Sequence, residues 1–297
     1  MSIYEIAAVA AAFCWALTGI ITAGPAQYLG ALAFTRIRMS MVLVMLAGWV
    51  GVTGGWHSIG ADAVLPLVAS GIVGIFLGDS LLFATMNRMG PRRTSMLFSL
   101  NAPLSVVLGW LLLGERLQGR ELAGIGLALA GVMLAIAFGK RKSQLHQWEQ
   151  IKGPLWIGVM LGLLAALAQA GGSLIARPVM ETGIDPAAGS ALRVATSVVC
   201  FHLAMLAPGG LLKAQRPMTL KIAGVTAFSG FLAMAVGMTL VLFALQGGQV
   251  GIVSTLSATT PALILPMLWL KTGEAPAPAA WIGAGLVIAG SALIFTG

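Results

Sequence analysis

Apolar runs of about 20 residues follow one another along almost the whole chain, and that is the length an α-helix needs to cross the hydrocarbon of a bilayer. Lipid offers no partner to a backbone N–H or C=O, so only helices and closed barrels can span it. The runs are uniformly apolar and lack the alternation of barrel strands. The expected class is therefore an all-α membrane protein. Charge agrees: 9% of residues are charged, against roughly a quarter in soluble domains. Hydropathy and Gly/Pro punctuation place ten spans at about 3–23, 31–53, 63–87, 92–113, 119–138, 153–176, 186–207, 220–245, 248–270 and 277–296. The first run is long and has no basic n-region, so it reads as a span rather than a signal peptide.

The chain repeats itself. The stretch 97–131, LFSLNAPLSVVLGWLLLGERLQGRELAGIGLALAG, returns as 255–290, TLSATTPALILPMLWLKTGEAPAPAAWIGAGLVIAG. Pro103 matches Pro261 and Ser99 matches Ser257 at a spacing of 158. After a one-residue slip Trp110, Glu115, Gly124, Gly126 and Gly131 match Trp269, Glu274, Gly283, Gly285 and Gly290 at 159. Five spans lie on each side of the longest polar segment, giving a first repeat over 1–138, a linker over 139–152 and a second repeat over 153–297. An odd number of spans per copy makes the second copy enter the membrane from the opposite side.

Loop charge tests that inversion. The loops after spans three, five, seven and nine hold Arg88, Arg92, Arg93, Lys140, Arg141, Lys142, Lys152, Lys213, Arg216, Lys221 and Lys271, whereas the opposite set holds Arg116, Arg120 and Arg177. The positive-inside rule makes the first set cytoplasmic and leaves both termini outside, as in a bacterial inner membrane. Trp49, Trp56, Trp110, Trp156, Trp269 and Trp281 fall near span ends, where amphipathic rings belong.

The net charge of +8 sits in short juxtamembrane loops rather than in a patch with aromatics, which argues against nucleic acid. Cys14 and Cys200 lie within apolar spans and read as small core residues. His57, His146 and His202 are scattered and form no metal-ligand spacing. No phosphate-cradling loop follows a strand, and Gly124-x-Gly126 lies within a helix, where glycine permits close packing. Neither a cofactor, a metal nor an enzymatic activity is expected.

The informative side chains are those the bilayer disfavours. Asp79 lies inside the third span, as a site for a substrate ammonium or a proton, or as the partner of an intramembrane arginine. Arg36 and Arg193, at a spacing of 157, stand early in the second span of each copy, with Arg38 nearby; they either snorkel or pair locally, or meet a substrate carboxylate. A mid-helix proline frees the carbonyl four residues before it. Pro103 and Pro261 thus point to Ser99 and Ser257, with Asn101 adding an amide and Thr259 and Thr260 hydroxyls. Paired interruptions of this kind mark a transporter's central site, although a kink used only for packing has the same pattern. Trp15 and Gln169 sit at mid-span in the first span of each copy, and Phe83 and Met238 are candidate apolar lining. Glu115 and Glu274 precede the next helix, where they favour its N-terminus or serve in gating.

Two five-span halves, each with Pro, then Gly-Glu, then Gly-x-Gly and a final Ala-Gly, resemble the drug/metabolite transporter superfamily, specifically its EamA-like ten-helix branch. The resemblance covers nearly the whole chain and is closest in general character to the YddG-type exporters of aromatic amino acids. It implies efflux of amino acids and small metabolites by a monomer, through a cavity lined by spans one, three, four, six, eight and nine, by alternating access. A uniporter or channel-like permease would look alike in sequence. The four-helix multidrug exporters of the superfamily use a carboxylate in their first helix for proton exchange. Here neither the first nor the sixth span carries one at mid-membrane, leaving Asp79 as the one possible substitute.

Overall fold

The computed structural model describes residues 2–113, 119–139, 150–206, 210, 212–247, 256–257 and 259–295. Within them the chain is helical throughout, with no strand. α1 is Ile3–Leu29, opened by a capping box in which the Ser2 hydroxyl accepts from the Glu5 amide and the Glu5 carboxylate accepts from the Ser2 amide. α2 is Ala31–Thr53, closed by Gly54 at φ 73°. α3 is Ala61–Ser70, and it runs through a π-helical segment, Gly71–Leu77, into α4, Gly78–Phe98. A straight helix over Ala61–Phe98 would be about twice the hydrocarbon thickness. Gly90 at φ 78°, followed by Pro91, instead turns the chain back, a conformation that glycine supplies at no steric cost.

The remainder follows the same scheme. α5 is Asn101–Leu113, α6 Gly119–Phe138, α7 Leu155–Met180 and α8 Pro186–Ala204. α9, Leu220–Gly230, passes through a second π-helical segment, Phe231–Met238, into α10, Thr239–Gly247. α11 is Thr260–Thr272 and α12 Pro278–Phe295. Seven described helical stretches are long and apolar enough to cross a membrane, and Asn101–Leu112 and Pro278–Ile294 are shorter apolar helices. The six tryptophans expected at span ends are all exposed.

Three expectations change. The third and eighth spans are not plain helices, because each carries a π-helical segment, Gly71–Leu77 and Phe231–Met238. Pro103 and Pro261 do not kink a continuous helix. The chain breaks at Ser99–Leu100 and α5 starts at Asn101, while α11 starts at Thr260. Both prolines therefore sit in a first turn, where a missing N–H leaves no bond unmade. Arg92 and Arg93 are not loop residues but are buried within α4, and Arg92 Nη1 donates to the Ala135 carbonyl at 2.8 Å, a cation near the C-terminal end of α6. Residues 140–149 of the linker, Glu115, and 248–255 and 258 of the ninth predicted span lie outside the described residues.

Helices α6 and α12 cross at close range. A Cβ on Gly124 would stand 2.6 Å from the Gly290 carbonyl oxygen, and one on Gly290 2.6 Å from that of Gly124. Gly131 and Gly283 face each other in the same reciprocal way, at 2.6 and 2.5 Å. Two bare backbones meet here, as in small-residue interfaces of membrane helices. Gly126, by contrast, faces open space and gives no packing advantage. Loop contacts respect the two ends of the bundle. The Gln215 amide donates to the Leu29 carbonyl at 3.0 Å and the Lys152 amide to that of Arg88 at 2.9 Å. At the other end the Asp185 amide donates to Ser58 Oγ, and Gln246 Nε2 to the Ile184 carbonyl, each at 2.9 Å.

Candidate functional site

The helices surround a cavity of about 280 Å³ that reaches the broken ends of α4 and α5, just under the range of about 300–1,000 Å³ for small-molecule pockets. One wall is α1. Trp15 lies on it, with its indole N–H donating to the Ala233 carbonyl at 3.0 Å. Ala233 belongs to the π-helical segment before α10, and Gly237 in the same segment lets the ring approach, since a Cβ there would stand 3.0 Å from Trp15 Nε1. Thr18 and Thr22 continue this wall, each with its hydroxyl bonded back to its own helix, to the carbonyls of Cys14 and Thr18. Such back-bonding satisfies a hydroxyl that hydrocarbon cannot.

Asp79 lies on α4, two residues past the other π-helical segment. It is 4% exposed, and its Oδ2 lies 3.4 Å from Arg38 Nη1. The Arg38 guanidinium also covers the Phe83 ring at 5.1 Å from its centroid, and Phe83 meets Phe34 edge to face. Arg193 packs against the π-helical segment that leads into Asp79, its Nη2 3.1 Å from where a Cβ on Gly74 would stand. Its Nη1 rests on Met238 Sδ at 3.6 Å. Of the two sequence alternatives for Asp79, the intramembrane arginine is thus present, and it is Arg38.

The arginine match also moves. Arg38 and Arg193 are each the eighth residue of their helix, α2 and α8, so the counterpart of Arg193 is Arg38. Arg36 is only partly buried and does not line the cavity. The signal lay in Thr35-x-x-Arg38 and Ser190-x-x-Arg193, which a search on arginine alone passes over. At the spacing of 159 found for Trp110 and Trp269, Gly78-Asp79 corresponds to Gly237-Met238. One copy holds a carboxylate where the other holds a thioether.

The break between α4 and α5 supplies the polar end. Ser99 Oγ donates to the Met96 carbonyl at 2.7 Å and Asn101 Nδ2 to that of Phe98 at 2.6 Å. The Ser99 carbonyl, expected to be free, accepts from the Ala102 amide at 3.4 Å, and the Ser257 carbonyl accepts the Thr260 hydroxyl at 3.0 Å. These carbonyls are engaged because the chain starts a new helix there. The Ser257 hydroxyl meets no partner among the described residues. Gln169 of α7 and Met238 complete the predicted set.

Trp15, Asp79, Phe83, Ser99, Asn101, Gln169, Met238 and Ser257 therefore all face one cavity. Pro103, Pro261, Arg36, Arg193 and Glu274 stand outside its lining. Among the described residues no group of three His, Cys, Asp or Glu is placed to hold a metal ion.

Comparison with known proteins adds the following. The model of the EamA-like transporter family matches the chain over residues 2–137 and 156–296. A protein of Escherichia coli (strain K12) described as "Probable amino-acid metabolite efflux pump" is 26% identical over 236 residues, covering 78% of this chain and 74% of that protein. A solved structure described only as "Crystal structure of protein" shares the fold with a TM-score of 0.71 at 16% identity, over 98% of this chain and 95% of that one.

Proposed function

Because the chain belongs to the EamA-like transporter family, and so is a multi-pass membrane transporter of small molecules rather than an enzyme, we propose that it exports amino acids, aromatic and apolar ones favoured, together with related small metabolites. The mechanism is alternating access, the two halves rocking about the cavity so that it opens on one side at a time. The observation that carries this is the placement of the cavity at matched interruptions of the two halves: the break at Ser99–Leu100, the start of α11 at Thr260, the π-helical segment Phe231–Met238, and Asp79 just past its counterpart Gly71–Leu77. Interrupted helices around a midplane cavity give a substrate polar contacts in hydrocarbon, and π-helical segments cluster at functional sites. The amino-acid metabolite efflux activity in the name of the Escherichia coli relative fits the same reading.

Two inverted five-helix repeats, 1–138 and 153–297, joined by 139–152, supply the ten spans of this reading. The two stretches matched by the family model and the reciprocal crossing of Gly124, Gly131, Gly283 and Gly290 support it. Equivalent helices that cross antiparallel about those glycines are what an in-plane pseudo-two-fold axis produces. The end holding Arg88, Lys152 and Arg216 is the cytoplasmic one and both termini are outside, in a bacterial inner membrane. The protein works as a monomer. Downhill facilitation without ion coupling is the second reading, favoured by Asp79, the only carboxylate among the described lining residues, being held in an ion pair.

Filling the cavity tests the reading. Val106 lines it, and Val106→Trp should reduce amino-acid flux in proteoliposomes by tenfold or more while detergent melting shifts by only about 1–3 kcal/mol. Undiminished flux from a folded variant would place the path elsewhere.

A further inference from the structure

The charges around the cavity identify one end of the substrate, an inference that rests on the export reading above. Three charged side chains meet in the bundle interior: Arg38, Asp79 and Arg193, which are 2%, 4% and 1% exposed. Arg38 and Arg193 each lie eight residues into their helix, about 12 Å of rise from its start, which is close to the midplane of a hydrocarbon layer about 30 Å thick. The set holds a single carboxylate, and its ion pair is with Arg38. Arg38 Nη1 is 3.4 Å from Asp79 Oδ2, and Arg193 has the Met238 thioether at 3.6 Å. Among the described residues, Nε and Nη2 of Arg193 and Nε of Arg38 meet no acceptor.

The imbalance follows from the duplication. Arg38 and Arg193 occupy equivalent positions, but the equivalent of Asp79 is Met238, so two arginines stand against one acid. The remaining cation lining the cavity, Arg177, has its own partner in Glu181 at 3.1 Å. The buried set thus carries one surplus positive charge, which hydrocarbon penalises, and Arg38 brings that set to the cavity wall. Close by stand Trp15, Phe83 and Met238, a surface for an apolar body.

We propose that the cavity takes its substrate by a carboxylate, drawn to Arg38 by the surplus charge of Arg38 and Arg193, and that it rejects molecules whose only charge is an ammonium. An ammonium arriving at Asp79 would meet the Arg38 guanidinium already paired there, with the buried charge of Arg193 added to the same interior. A carboxylate supplies the missing counter-charge in a low-dielectric site, where such pairing is strong. Arg193 acts here as a positioning and charge-setting residue, because it does not line the cavity.

The test is direct binding to the purified full-length protein, read by thermal shift and tryptophan fluorescence, with four matched probes: L-phenylalanine, 3-phenylpropionate, 2-phenylethylamine and L-phenylalaninamide. The expected order places both carboxylates at least about tenfold tighter than the amine and the amide. Arg193→Gln should weaken the carboxylates by about tenfold, and Arg193→Lys should restore most of that. The comparison on the unmodified protein needs no variant to fold. Equal or tighter binding of 2-phenylethylamine overturns the proposal, and so does the absence of binding by either carboxylate. If the carboxylates bind yet no amino acid is transported, the export reading falls and this one stands. If phenylalanine is exported while the amine competes as well as the acid, this one falls alone.

Discussion

Gly131→Leu should destabilise the protein by about 3 kcal/mol or more, enough to remove most of it from the folded fraction in detergent, while Gly126→Leu should be nearly silent. The two glycines lie five residues apart on α6 and differ only in what they face. A Cβ on Gly131 would stand 2.6 Å from the Gly283 carbonyl oxygen and 3.0 Å from the Val287 amide. Both are backbone atoms of α12 and cannot turn aside. The helices would have to separate, and with them the reciprocal contact of Gly124 with Gly290. Gly126 has nothing within 4 Å of a built Cβ, so leucine there gains helix propensity at no steric cost. Melting curves of the two variants, with Gly283→Leu and Gly285→Leu as the matched pair on α12, measure the difference. Equal stability of Gly131→Leu and Gly126→Leu would show that the crossing is looser than its geometry.

Asp79→Ala should cost about 3–5 kcal/mol, because it leaves the buried Arg38 guanidinium without its carboxylate. Arg38 would keep its contact with the Phe83 ring, worth about 2 kcal/mol when desolvated, which offsets only part of the lost pairing. Replacing both partners, Arg38→Met with Asp79→Leu, should cost less than Asp79→Ala alone, since a buried ion pair exchanged for apolar side chains is often nearly neutral. The double-mutant cycle read by detergent melting gives the coupling between them. Strictly additive effects would mean that the 3.4 Å contact contributes no pairing energy.

The helical class was legible because hydrocarbon imposes it on any sequence of this kind, and the cavity wall was legible for a related reason. Trp15, Asp79, Asn101 and Gln169 are too large or too polar for a mid-span position that faces lipid, so an interior surface was the consistent place for them. The π-helical segments left no such trace. Gly71–Leu77 and Phe231–Met238 are as apolar as ordinary helix, and an extra residue in a turn changes backbone register without changing side-chain type. Proline was ambiguous in kind: Pro103 suits both a kinked helix and the first turn of a new one, and only the break at Ser99–Leu100 distinguishes them. Arg36 concealed Arg38 because two arginines two residues apart fit a repeat equally well until helix starts are known. Arg92 and Arg93 read as loop charges because they directly follow the corner at Gly90–Pro91, and nothing in the sequence says that the helix after it begins buried.

The most direct measurement is counterflow in proteoliposomes loaded with unlabelled phenylalanine, with labelled phenylalanine outside and no ion gradient imposed. Alternating access around this cavity predicts transient accumulation of label above equilibrium, abolished by Val106→Trp. Equilibration without overshoot would point to a channel, and no phenylalanine movement at all would contradict amino-acid transport by this chain.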